Sequence, residues 1–152
     1  MLGIFRHSKP FFSEQENQLI VTAIKTAEKN TSGEVRVFVE GKCKWVDAID
    51  RAAELFFQLK MDQTHQRNAV LVYIAVKDRQ LAVFGDEGIH QKLGNEYWDR
   101  VVSEMLSQFD KNDFGKGIAD CVLQIGEALH TYFPYDGKTD KNELPDEIVF
   151  GK

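Results

Sequence analysis

The sequence predicts an α/β protein, a three-layer α/β/α sandwich built around a small mixed sheet. Three observations carry that prediction. Ala69 to Val76 (AVLVYIAV) is an unbroken apolar run rich in Val and Ile, too short for a globular helix and therefore a strand buried on both faces. Glu34 to Glu40 (EVRVFVE) alternates strictly between apolar and polar residues, the period of a strand with one apolar face. Segments with apolar residues at helical spacing precede, separate and follow these strands. That alternation places helices over both faces of a sheet.

Taken in order, Met1 to Pro10 reads as an N-terminal arm, and the domain spans 11–134. Ser13-Glu14-Gln15-Glu16 has the spacing of a capping box, with Phe12 placed to staple onto the first turn. Ile20, Ala23, Ile24 and Ala27 then form one apolar helical face, which ends near Asn30 before the turn Thr31-Ser32-Gly33. The strand over 34–40 turns Val35, Val37 and Val39 to one side, which places it beside the central strand rather than at the centre. Trp45 to Leu59 is the next helix, with Ile49, Ala52, Ala53, Phe56 and Leu59 inward. Strand, helix and buried strand in succession make a βαβ unit, so the first two strands are expected to be parallel. Lys77-Asp78-Arg79 interrupts the apolar run, and Gln80 to Phe84 resumes it, which reads as a hairpin with an antiparallel third strand. Asn95 is read as the cap of a helix bearing Trp98, Val102, Met105 and Phe109. Asp113 is read as the cap of a last helix bearing Ile118, Cys121, Val122, Ile125 and Leu129. Phe133-Pro134 stops that helix, and 135–152 is expected to be a mobile tail, with a strand over 147–150 as the alternative.

The 152 residues fit one domain with a single sizeable core. The net charge of -5, without any Lys/Arg-rich run, argues against nucleic acid as a partner. Cys43 and Cys121 lie far apart without metal spacing and read as free thiols of a reducing compartment. No apolar run approaches the roughly 20 residues of a membrane span, and the N-terminus lacks the apolar core of a leader. The expected location is the cytoplasm.

Topology converts this reading into a site. If the third strand returns antiparallel to the second, its exit at Gly85-Asp86-Glu87 lies beside the entry of the second strand. That entry holds Asp62, Thr64, Arg67 and Asn68, and Thr31, Ser32 and Glu34 begin at the same rim. Oxygen donors from several loops are what a hard cation such as Ca²⁺ or Mg²⁺ requires. Ordinary solvated loops are rich in the same residues, and the pattern alone leaves both readings open. Other matches dissolve. Asp113-Phe114-Gly115 has no HRD partner motif. The run from Asp110 fails as an EF-hand because Phe114 and Cys121 stand at ligand positions. No Walker loop, nucleophile elbow or zinc spacing among the histidines is present.

Thr31 to Val37, Arg67 to Tyr73, Asp78-Arg79, Gly85 to Ile89 and Asp113 to Gly117 resemble, in order, five motifs of the TPM domain family. That family is known from thylakoid-lumen acid phosphatases and photosystem-repair proteins. The likeness covers about Phe11 to Pro134. It implies an α/β/α sandwich, divalent-cation binding, often of calcium, at acidic loops on one rim, and in some members weak phosphatase activity. Carried over by position, Asp86, Glu87 and Asp113 match acidic positions, Arg67 and Asn68 match the strand entry, and Ala69 replaces a Gly. Together with Asp62 from the topology, Asp86, Glu87 and Asp113 make the expected metal set, with Ca²⁺ favoured and Mg²⁺ the alternative. Two functions follow. One is a non-catalytic module whose cation stiffens the loops for recruiting a protein partner. The other is a metal-dependent phosphomonoesterase, with Arg67 stabilising developing charge and Asp86 as nucleophile or water-orienting group.

Overall fold

A computed structural model describes residues 11–111, 113–135 and 146–151. The elements are α1 (Glu14–Glu28), β1 (Glu34–Glu40), α2 (Ala48–Gln58), β2 (Ala69–Ala75), β3 (Gln80–Gly85), α3 (Glu87–Asp110), α4 (Phe114–Tyr132) and β4 (Val149–Phe150), with a 3-10 turn at Met61–Gln63. The strands lie in the order β3-β2-β1-β4. β1 is parallel to β2 and β4, and β3 is antiparallel to β2.

The alternation of each strand sorts its side chains between two cores. Val35, Val37, Val39, Val70, Val72, Ile74, Leu81 and Val83 pack with Ile20 and Ile24 of α1, Trp98 and Met105 of α3, and Ile118 and Ile125 of α4. On the other face Phe38, Leu71, Tyr73 and Ala82 pack under Ala52, Leu55 and Phe56 of α2. The three-layer α/β/α sandwich is therefore as expected, with three helices on one face and one on the other. The capping box at the start of α1 forms in both directions: the Glu16 N–H donates to Ser13 Oγ at 3.1 Å, and the Ser13 N–H donates to Glu16 Oε1 at 3.0 Å. All five residues expected inward on the last helix are buried.

Several expectations are corrected. β1 is not a flanking strand with one wet face; all seven of its residues are buried. The reason is β4, which pairs Val149 with Phe38 and Phe150 with Val39, together with side chains that cover Glu40. Glu40 receives the Tyr73 hydroxyl and two nitrogens of Arg51. Trp45 lies outside α2, at φ 76 and 97% exposed. The residues before it are tied to the hairpin turn, where the Cys43 N–H donates to Asp78 Oδ2 at 2.8 Å and the Lys77 N–H to the Gly41 carbonyl at 2.7 Å. Helix can begin only after that tether. Ile49 is consequently exposed, and Leu55 takes an inward place. α3 begins at Glu87, and Gly94 at φ 78 and ψ 172 kinks it, so that its longer second part starts at Asn95, one residue from the cap expected there. Val101 is buried where Val102 was expected to be.

Residues 1–10 and 136–145 lie outside the described residues. Within the segment read as a tail, β4 takes the alternative of a strand, and the Gly151 N–H donates to the Val39 carbonyl at 2.7 Å. Where β4 does not reach, Val35 donates its N–H to Glu28 Oε2 at 2.7 Å. Burial, then the hydrogen bond with Asp146 and the charge of Glu34, push the Glu28 carboxyl up to about 11. Among the described residues no helix is long and apolar enough to cross a membrane.

Candidate functional site

The site begins with the register of the hairpin. Val70 faces Gly85, and the Asp86 N–H donates to the Ala69 carbonyl at 2.9 Å. The exit of β3 is thereby fixed against the entry of β2, as the topology predicts. One step further the Gly88 N–H donates to the Arg67 carbonyl at 2.8 Å. A Cβ at Gly88 would stand 2.3 Å from the Gln66 carbonyl oxygen and 2.5 Å from that of Arg67, so only glycine permits this approach. Arg67 itself sits in the left-handed region at φ 52, which turns its side chain back over the start of α3.

There Arg67 closes on the carboxylates. Its Nε lies 2.7 Å from Asp86 Oδ2, its Nη2 2.8 Å from Oδ1, and its Nη1 3.1 Å from Glu87 Oε1. Asp86 also caps α3, accepting the Glu87 N–H at 2.8 Å. Asp86 is only 3% exposed. The hydrogen bonds to Asp86, assisted by the charges of Asp86, Glu87 and Asp62, hold the guanidinium above its ordinary pKa. Beside this cluster, Asn68 donates its side-chain amide to Ser32 Oγ at 3.2 Å and its N–H to Thr64 Oγ1 at 3.3 Å.

Asp86 and Glu87 thus meet at Arg67, with Asp62 near enough to act on it by charge alone, whereas Asp113 is placed elsewhere. Its N–H donates to the Gln108 carbonyl at 3.1 Å, and the nearby Phe109 carbonyl receives Arg79 from the turn at the opposite end of β3. Its side chain makes no cap hydrogen bond. The set does not fit a preformed Ca²⁺ or Mg²⁺ cage. A guanidinium takes both oxygens of Asp86, and among the described residues no three His, Cys, Asp or Glu side chains come together as metal ligands. Asn68 Oδ1 is a buried acceptor without a partner among the described residues. It supplies a single oxygen, whereas calcium takes about six to eight.

A feature that sequence reasoning missed adjoins this rim. A groove of about 830 Å³ runs along β3, between Ile49 and Phe57 of α2 and Val102 and Leu106 of α3, and ends at Asp86, Glu87 and His90. Trp98 Nε1–H donates to His90 Nδ1 at 2.9 Å, which fixes the indole in the groove wall. The helical period could not reveal the groove, because it assigned Ile49 to the core.

The sequence matches the family model of the TPM domain over residues 7–128. Among solved structures it is similar to the BA42 protein of the psychrophilic bacterium Bizionia argentinensis, with 40% identity and a TM-score of 0.85 over 95% of this chain and 98% of that one. The N-terminal domain of a P. gingivalis protein shares the fold at 14% identity and a TM-score of 0.68, covering 80% of this chain and 78% of that one. So does the N-terminal domain of a Corynebacterium glutamicum protein, at 12% identity and a TM-score of 0.59, covering 80% and 76%. No curated protein matches the chain.

Proposed function

This chain belongs to the TPM domain family, and from that premise we propose that it is a non-catalytic module that recruits a protein partner through the groove along β3. The observation that carries the reading is the bidentate pair of Arg67 and Asp86. A carboxylate with both oxygens engaged by a guanidinium is neither a free nucleophile nor an open metal ligand. Arg67 ties the β2 entry to the α3 start, the stiffening that the sequence reading assigned to a cation. The adjacent groove has the mixed character of a recognition site, with apolar walls and a few polar groups at one end.

The test has two arms. A photo-reactive residue at position 57 or 106 in the groove is expected to capture the same protein in cells, and one at position 123, on the exposed face of α4, is not. Purified chain is expected to leave p-nitrophenyl phosphate unhydrolysed and to show no calcium-dependent amide shifts at Asp62 or Asp86. Hydrolysis abolished by Asp86→Asn in a folded protein would replace this reading with the phosphatase one. Calcium-dependent shifts confined to those loops would return the cation to the site.

A further inference from the structure

β3 is an edge strand, and its hydrogen-bonding parity can be read from one bond. Because the Asp86 N–H donates to Ala69, the register pairs Phe84 with Leu71, Ala82 with Tyr73 and Gln80 with Ala75 as the hydrogen-bonded positions. Leu81, Val83 and Gly85 therefore direct their N–H and C=O groups away from the sheet. Among the described residues those outward groups have no hydrogen-bond partner. Yet Val83 is 3% exposed and Leu81 8% exposed. The side chains of these two residues point into the core, so what they present outward is main chain with its donors and acceptors unused. Those main-chain groups open into the groove, where Phe57 stands 52% and Ile49 48% exposed on one wall.

We propose that β3 takes an extended segment of a partner protein as a fifth strand of the sheet, an inference that rests on the recruiting role proposed above. An extended backbone presents donors and acceptors alternately at the spacing of Leu81, Val83 and Gly85. A helix satisfies its own main chain and cannot supply them. The six residues of β3 match a segment of roughly five to seven residues, about 17–24 Å at 3.4 Å each. Alternate side chains of that segment fall against the Phe57 wall and the Leu106 wall, so both sets are apolar. At the Gly85 end the groove carries Glu87 and Asp99, with Arg67 already engaged, so the segment ends there in a Lys or Arg. A second copy of this chain is the poorer occupant. It would bring its own α2 and α3 walls against these, and its charge of -5 against an equal charge.

The experiment selects phage-displayed dodecapeptides on the full chain and synthesises the tightest binder. Binding is expected to slow hydrogen exchange at Leu81, Val83 and Gly85 at least about tenfold. Ala82 and Phe84, already bonded to β2, should change little. N-methylation of the peptide residues whose N–H groups meet β3 is expected to weaken binding at least about tenfold, and N-methylation of the alternate residues is not. Phe57→Glu is expected to weaken it similarly, and Leu123→Glu is not. A selection without a groove-dependent peptide, or one whose peptides tolerate N-methylation everywhere, would overturn strand addition while leaving partner capture at positions 57 and 106 standing. A dimer in sedimentation that Phe57→Glu dissociates would assign the edge to a second copy and overturn the proposal. Loss of that cellular capture together with Asp86-dependent phosphatase activity would remove the recruiting role itself.

Discussion

Arg67 and Asp86, nineteen positions apart, form a two-pronged ion pair in which the acid is buried and the base half-exposed. The acid simultaneously caps α3, so the pair and the helix start are one structural unit. Asp86→Ala is expected to cost at least the ~0.5–2 kcal/mol of a lost N-cap, measured by chemical denaturation. Asp86→Asn keeps a cap oxygen and should lose less. A variant as stable as the parent would mean that the carboxylates repel one another at that rim, the situation in which a cation is required. Arg67→Lys keeps the charge but not the fork. It should release the Asp62 and Glu87 loops in amide-exchange measurements without unfolding the sheet.

Glu28 gives a pH dependence of defined sign. Its carboxyl is raised from its ordinary 4.5 to about 11, first by burial. The folded state therefore holds a proton that the unfolded state has released above about 4.5. The stabilisation from this group is fully present below that value and is lost progressively as pH rises toward 11. Glu28→Gln keeps an acceptor for the Val35 N–H and has nothing to ionise. At pH 8 it is expected to be more stable than the parent by about 1–3 kcal/mol, the scale of a buried polar group's desolvation. The difference should vanish at pH 4, and a constant difference from pH 4 to 9 would refute the assignment.

Truncation after Tyr135 removes β4 and with it the Gly151–Val39 bond, the stacking of Phe150 on Phe11, and the Asp146 partner of Glu28. The expected loss is about 1–3 kcal/mol, in the ordinary range for deleting such contacts. An unchanged melting temperature would mean that the strand contributes nothing beyond its geometry.

Leu71 is fully buried at the centre of β2 beneath α2. Leu71→Ala is expected to cost about 2–5 kcal/mol, read from the denaturation midpoint at unchanged slope. A cost near zero would place it at a yielding edge.

The parts of the fold legible in the sequence are those fixed by near neighbours. The apolar run of β2, the alternation of β1 and the Ser13–Glu16 box each specify their element from within it. What escaped depends on distant chain. Glu40 looks solvated, yet Arg51 and Tyr73 reach it, and Val149 and Phe150 pair with β1 at Phe38 and Val39 more than a hundred residues later. The rim was placed correctly because strand order dictates which loops meet. The ion pair at its centre was not legible, because two residues nineteen apart reach one another only when Gly88 lets their loops touch. The α2 start was misplaced because a main-chain tether from Cys43 to Asp78, not the helical period, decides where winding begins.

The two edges of the sheet have opposite fates. Beyond β1, the short β4 and the Glu28 carboxyl together occupy main-chain groups that would otherwise seek another strand. Beyond β3, nothing among the described residues does so. Fibrous growth by strand pairing needs a sticky edge at both ends of every unit, so that each addition regenerates the acceptor it consumed. A unit plugged at one edge is a chain terminator: joined to a foreign strand, it completes that assembly and offers no new surface for the next.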